Sequence, residues 1–289
     1  MSFKFRSAAN TTVGHVSNQH LNHAIAQRNW AEAESTAYND SAYCNIPDLK
    51  GYLPLHMTVK LGGTPRLIVL LLNSYPKAIE ERDPDGNLPL HLAAYHHKGR
   101  LWIHISEITT ILFASYPDAI RMVDKSGDLT LHIALRHRAP DELIKFLLAE
   151  YPESAQKKDQ YGNLPLHLAI QFNASYTVVH NVLSYYEVAL KTPNARGSLP
   201  LHKAAQFDAP MDIFMLILEA EPTAAGIKDS RGNLPLHLCF LFCAGPPTEE
   251  RLRNLLQRYP TAVGTPNNDG CFPFAMMNRP QDHYVEDYR

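Results

Sequence analysis

Leu-Pro-Leu-His recurs through this chain at a nearly fixed interval. It stands at Leu53-Pro54-Leu55-His56, Leu88-Pro89-Leu90-His91, Leu164-Pro165-Leu166-His167, Leu199-Pro200-Leu201-His202 and Leu234-Pro235-Leu236-His237, with Leu129-Thr130-Leu131-His132 as a near copy. Successive copies are 35, 41, 35, 35 and 35 residues apart, and a worn copy, Phe272-Pro273-Phe274-Ala275, follows after 38. A period of this size means stacked supersecondary units, each burying its apolar face against its neighbours. The 289 residues therefore read as one solenoid rather than as a count of ordinary domains. A histidine present once per unit is a packing device, not a catalyst.

Each unit opens on a D-x-x-G turn, at Asp48 to Gly51, Asp83 to Gly86, Asp124 to Gly127, Asp159 to Gly162 and Asp229 to Gly232, with Asn194 to Gly197 and Asn267 to Gly270 as Asn versions. The Asx side chain can bond the turn backbone and glycine accepts a positive φ, so a tight finger is expected. Proline then starts a short inner helix, where its missing N–H costs nothing, and Gly62, Asn173 and Asp208 stand where left-handed caps would end it. A longer outer helix begins near Pro65, Pro140, Pro210 or Pro247, read as first-turn prolines, and carries apolar residues at helical spacing, as in Leu143, Ile144, Leu147 and Leu148. It ends in Tyr-Pro at Tyr75, Tyr116, Tyr151 and Tyr259, with Tyr186-Glu187 and Glu221-Pro222 as variants. The Tyr position stands 13 residues before the next motif in every unit, so those tyrosines are expected to pack between the outer helix and the following finger. The extra residues of the two longer units, six within 100–108 and three around 244–248, then belong to the interhelical loops or the adjoining helix ends.

These motifs resemble the ankyrin repeat, whose unit is D-x-x-G-x-T-P-L-H-x-A-A followed by a helical hairpin and a finger. The resemblance implies an all-α repeat solenoid, an ankyrin-type stack of helical hairpins joined by β-turn fingers. Residues 1–17 read as a flexible tail, 18–47 as an N-terminal capping hairpin, 48–270 as six repeats, and 271–289 as a truncated C-terminal cap and tail. Leu replaces the family's Thr before Pro, the Gly-His between helices is missing, and Tyr-Pro-x-Ala replaces Gly-Ala-Asp. In the family that Thr hydroxyl bonds the motif histidine, so here backbone groups are expected to hold the ring.

Charge and cysteine content exclude several classes. With 27 basic and 29 acidic residues the formal charge is −2, which leaves no electrostatic footprint for nucleic acid or an anionic membrane. Four cysteines are too few and too unevenly placed for a disulfide scaffold, and no run is long and apolar enough to span a bilayer. An intracellular protein, cytoplasmic or nuclear, is expected. The first 31 residues hold no Asp or Glu, faintly like an organelle transit peptide, but nothing amphipathic precedes Asn18, which favours a flexible tail.

No nucleophile-base order, phosphate loop, H-E-x-x-H or paired carboxylates stand out, so neither an enzyme nor a cofactor is expected. What the units share is a surface. Lys60, Tyr95, Arg136, Gln171, Gln206 and Leu241 occupy one inner-helix position, and Leu61, His96, His137, Phe172, Phe207 and Phe242 the next. The concave face and finger tips of an ankyrin repeat protein usually dock other proteins. The resemblance therefore implies a monomeric scaffold or adaptor whose binding face is Lys60, Tyr95, His96, Arg136, His137, Gln171, Phe172, Gln206, Phe207, Leu241 and Phe242. The alternative is a metal- or pH-responsive switch built on His96, His97 and His137, or on Cys239, Cys243 and Cys271. Against it, equivalent positions of adjacent repeats stand about 10 Å apart, too far to share a zinc ion, and Cys239 replaces the motif's small alanine, as a buried hydrophobe would.

Overall fold

The computed structural model describes residues 20–95, 102–242 and 248–278, in two compact units, Met1–Ile133 and Ala134–Arg289. In the first unit the helices are α1 (20–26), α2 (Trp30–Asn39), α3 (Pro54–Leu61), α4 (Pro65–Ser74), α5 (Pro89–Tyr95) and α6 (Trp102–Ser115). Helix α7 (Thr130–Arg136) contains the division. The second holds α8 (Asp141–Glu150), α9 (Pro165–Gln171), α10 (Tyr176–Tyr185), α11 (Pro200–Gln206), α12 (Met211–Ala220), α13 (Pro235–Phe242) and α14 (Glu249–Arg258), then a 3-10 turn, Pro273–Asn278. Apart from a single bridge between Val123 and Leu129, the described residues pair no strands.

Inner and outer helices alternate as the repeat predicts. In the first unit α3 packs on α4 and α5, and α4 on α2 and α6. In the second α9 packs on α10 and α11, α11 on α12 and α13, and α13 on the closing 3-10 turn. The outer helices bury one stripe each, such as Leu67, Ile68, Leu71 and Leu72 on α4 or Ile213, Phe214, Ile217 and Leu218 on α12. Each fully buried side chain of this kind contributes about 1.5 to 3 kcal/mol relative to exposure.

The finger turns take the expected form. In all seven, the side-chain oxygen of the opening Asp or Asn accepts the backbone N–H groups two and four residues on, as Asp159 does from Tyr161 (2.9 Å) and Asn163 (2.8 Å). Fingers are also tied to their neighbours. The basic residue before the turn reaches a carbonyl of the next finger: Arg82 to Val123 (2.8 Å), Lys158 to Pro193 (3.0 Å) and Lys228 to Pro266 (2.8 Å). Buried asparagines continue the tie, Asn194 donating to Asn163 at 2.7 Å and Asn267 to Asn233 at 2.9 Å.

Gly197 shows why the turn needs glycine, for two separable reasons. Its φ is +70°, and a Cβ there would lie 2.9 Å from the Ser230 backbone nitrogen of the next finger. Gly270 has φ +75° with nothing within 4 Å of a Cβ. Gly270→Ala should therefore cost only the left-handed penalty, about 1 kcal/mol, and Gly197→Ala clearly more, about 2 to 3 kcal/mol. Paired urea titrations check this, and equal losses would contradict the close-approach argument.

The inner helices start where proline was expected, and Gly62, Asn173 and Asp208 have positive φ, joined by Arg28 and Arg138, which no sequence signal marked. One expectation needs correction. Pro140 and Pro210 are not first-turn residues: both precede the helix in extended backbone, with ψ near 145°, leaving those helix starts without a side-chain cap. Thr64, Ser175 and Thr248 supply that cap elsewhere. The six-residue insertion lengthens the adjoining helix end, one of the two placements expected: α6 is 14 residues long where α4, α8, α10, α12 and α14 have 10. The three-residue insertion falls largely outside the described residues.

The outer helices end at the Tyr position, with φ between −140° and −155° and ψ near 80°, whether the residue is Tyr75, Tyr116, Tyr151, Tyr186, Glu221 or Tyr259. A 3-10 turn follows each, begun by proline in five units and by Glu187 after Tyr186, so where proline is present it ends one helix and begins a shorter, tighter one. The four tyrosines before proline are half-buried. Tyr75 donates its hydroxyl to Glu81 of the following finger, and Tyr259 lies against the preceding 3-10 turn, where a Cβ on Gly226 would be 3.1 Å from the ring.

Candidate functional site

The six motif histidines are fully buried and serve as staples. In each, Nδ1 accepts the backbone N–H of the Leu three residues earlier, at 3.0 to 3.3 Å. An accepting Nδ1 leaves the proton on Nε2, which donates to a carbonyl of the next finger: His56 to Glu81, His91 to Met122, His167 to Ser198, His202 to Asn233 and His237 to Cys271, at 3.0 to 3.2 Å. The ring thus closes the start of the inner helix and ties it to the following turn, using backbone groups as expected. Burial lowers the pKa of His56, His91 and His237, and takes His167 down to about 3 and His202 to about 4. These rings are neutral at pH 7 with both nitrogens engaged, and cannot bind a metal.

The first unit contributes Lys60 and Tyr95 to the face read from the sequence. Lys60 lies over the Tyr52 ring, 4.4 Å from its centroid. The Tyr52 hydroxyl donates to Asp85 at 2.5 Å, and that bond pushes its pKa up to about 12. Tyr95 is 46% exposed, while His96 and His97 lie outside the described residues.

In the second unit the inner-helix face is partly covered. Gln206 and Leu241 correct the expectation of one exposed stripe: at 6% and 2% exposure they offer a partner almost no side-chain surface. Arg136, His137, Gln171, Phe172 and Phe242 are half-buried, and Phe207 is 37% exposed. Cys239 is buried and Cys271 half-buried, while Cys243 lies outside the described residues, among which no three His, Cys, Asp or Glu side chains cluster as a metal would require.

Two neighbouring positions of this face line an open cleft of about 360 Å³, together with finger residues that the sequence reading passed over. Arg136, Asp159, Gln171, Phe172, Arg196 and Lys203 are its chemically distinctive walls. Asp159 Oδ2 accepts from the Arg136 guanidinium at 3.0 Å and from the Asn163 amide at 3.2 Å, while its Oδ1 holds the finger. Lys203, only 4% exposed, donates to Gln171 Oε1 at 3.1 Å and lies 5.3 Å from the Phe207 ring centroid. Burial first, and then the nearby Arg196, push its pKa down to about 8, so it remains mostly charged at pH 7. Three cations against one carboxylate leave the lining with a net charge of +2. A signal for Lys203 was present in the sequence: the residue after the motif histidine is Met57, Leu92, Ile133, Leu168 and Leu238 in the other units.

Helical hairpins joined by Asx-Gly fingers, with a histidine staple in each inner helix, define an ankyrin-type repeat solenoid. No family model matches the chain. Among solved structures it is similar to the ankyrin repeat domain of Bcl-3, a member of the IkappaB protein family, with a TM-score of 0.61 and 19% identity over 82% of this chain and 97% of that one. That likeness establishes the fold. No helix among the described residues is long and apolar enough to cross a membrane.

Proposed function

We propose that this protein is a non-enzymatic interaction module that holds a protein partner on the inner-helix face, acting as a scaffold or adaptor. The observation that carries the reading lies in the second unit, where the half-buried Phe172 lines the open cleft beside Gln171 and Arg136, and the 37% exposed Phe207 packs on Lys203 of the same lining. Aromatic anchors ringed by hydrogen-bonding groups suit a protein surface, because the rings supply buried area at little entropic cost and the polar rim sets orientation. Tyr95, 46% exposed, offers a similar anchor on the first unit. The module is proposed to act as a monomer, without a bound cofactor, on proteins rather than on nucleic acid or a bilayer.

Proximity labelling with mass spectrometry, followed by capture of the recovered partner on wild type and Phe207→Ala, tests this. The variant is expected to fold with a stability change of about 0.5 to 1 kcal/mol, since the ring is partly exposed, and to lose the partner. Undiminished capture by Phe207→Ala and Phe172→Ala would overturn the assignment of this face. Metal analysis of untagged protein separates the switch alternative, which requires stoichiometric zinc.

A further inference from the structure

Lys203 stands where this repeat places an apolar side chain. The equivalent Leu168 and Leu238 are 1% and 0% exposed, and Lys203 at 4% is buried nearly as deeply. Its ammonium has a neutral amide oxygen and an aromatic ring as partners, but no carboxylate among the described residues within ion-pair distance. The near candidate, Asp159, has both oxygens engaged, by two finger N–H groups, the Arg136 guanidinium and the Asn163 amide. Removing an ammonium from water with no carboxylate in contact is costly, the more distant Asp159 offsets only part of that cost, and a leucine would fill the position without it. Departures of this kind from a fold's own rule concentrate at functional positions.

The cost is offset when an anion arrives. Lys203 forms part of the lining of the 360 Å³ cleft, with the Arg136 and Arg196 side chains on the same lining and a net charge of +2. Asp159 on one wall disfavours a dianion more strongly than a monoanion. The aromatic border, with Tyr161 56% exposed and Phe172 half-buried, gives a peptide chain apolar area that a free inorganic ion could not use. We propose that this cleft is a carboxylate-binding site for a Glu or Asp side chain of a partner protein, the acid seated against Lys203 and the arginines and the flanking partner residues lying on Tyr161 and Phe172. This names the chemistry recognised on the face proposed above, and so rests on that reading.

The test uses the full chain with 13C-labelled lysine, in low-salt buffer free of carboxylate and phosphate, and follows the Lys203 side-chain resonance, identified by its absence from Lys203→Leu. Titration with N-acetyl-glutamate amide is expected to give a saturable shift with a Kd of roughly millimolar order, as befits one isolated contact. The glutamine analogue is expected to bind at least tenfold more weakly, inorganic phosphate more weakly than the glutamate probe, and Arg196→Gln to weaken the glutamate response several-fold. Lys203→Leu is expected to melt several degrees higher than wild type, because a buried charge without a contacting carboxylate has been removed. No saturable shift, an equal response to both analogues, tighter binding of phosphate, or a lower melting temperature for Lys203→Leu would each overturn the proposal. The titration is independent of partner capture: a cleft that takes the probe while Phe207→Ala still captures the partner would leave the carboxylate site standing and remove the docking face.

Discussion

Lowering the pH from 7.5 to 4.5 is expected to unfold this protein steeply, with most of the loss between pH 6.5 and 5. The cause is the set of histidine staples. An unfolded chain protonates histidine at about 6.5, whereas burial holds His202 down to about 4 and His167 to about 3, with His56, His91 and His237 shifted the same way. Between those limits the unfolded state binds more protons than the folded one, so stability falls as pH falls. Above about pH 7.5 the contribution is fully present, and below each folded pKa that histidine adds no further slope. A ring held at about 4 or below loses about 2 kcal/mol by pH 5, so His167 and His202 together approach the lower end of a typical domain's stability, about 5 to 15 kcal/mol. His56, His91 and His237 act in the same direction. Urea midpoints at pH 7.5, 6.5, 5.5 and 4.5 measure this, and a midpoint unchanged down to pH 4.5 would rule out the staples as neutral donors and acceptors.

Phe214→Ala should destabilise the second unit by about 3 to 5 kcal/mol, the range for emptying a buried aromatic site. Phe214 is fully buried on α12, and the Arg251 guanidinium of α14 lies over its ring at 4.8 Å. Arg251 is itself only 4% exposed and donates to the Ala209 carbonyl at 2.5 Å and to the Asp208 carboxylate. Truncating the ring therefore opens a cavity and removes one face of a buried cation's surroundings. A double-mutant cycle with Arg251→Ala is expected to show a coupling of about 1 kcal/mol or more, in the range of a desolvated cation–π contact. A loss below 1 kcal/mol for Phe214→Ala, read from urea titrations of the full chain, would contradict the packing described.

Much of the architecture was legible because its determinants recur. A finger Asx, a proline at the start of an inner helix and a histidine three residues after the motif leucine each meet the same surroundings in every unit, so periodicity separates them from background. The loss of the family's threonine hydroxyl was readable too, and the backbone groups that replace it follow from the need to satisfy two buried ring nitrogens. Pro140 and Pro210 were misplaced by one position, because a proline just before a helix and one just inside it have nearly the same φ and differ in ψ, which sequence does not display. Gln206 and Leu241 share a helix position with the half-buried Gln171, yet the next layer covers them, and helical periodicity gives a face without saying what lies over it.

By itself the sequence determined the repeat, its turn chemistry, the role of the motif histidines and the order of inner and outer helices, all set by local geometry and copied along the chain. The tertiary structure alone decided which members of the shared face remain open to a partner. It also decided that Arg251 reaches the cap of a helix 43 residues earlier, and that Lys203 meets Gln171 across 32 residues on the lining of a cleft. Those contacts occur once each, between long side chains whose reach and burial depend on how neighbouring hairpins stack. No period in the sequence records them, because a single long-range contact is specified by the packed structure around it rather than by a rule the chain repeats.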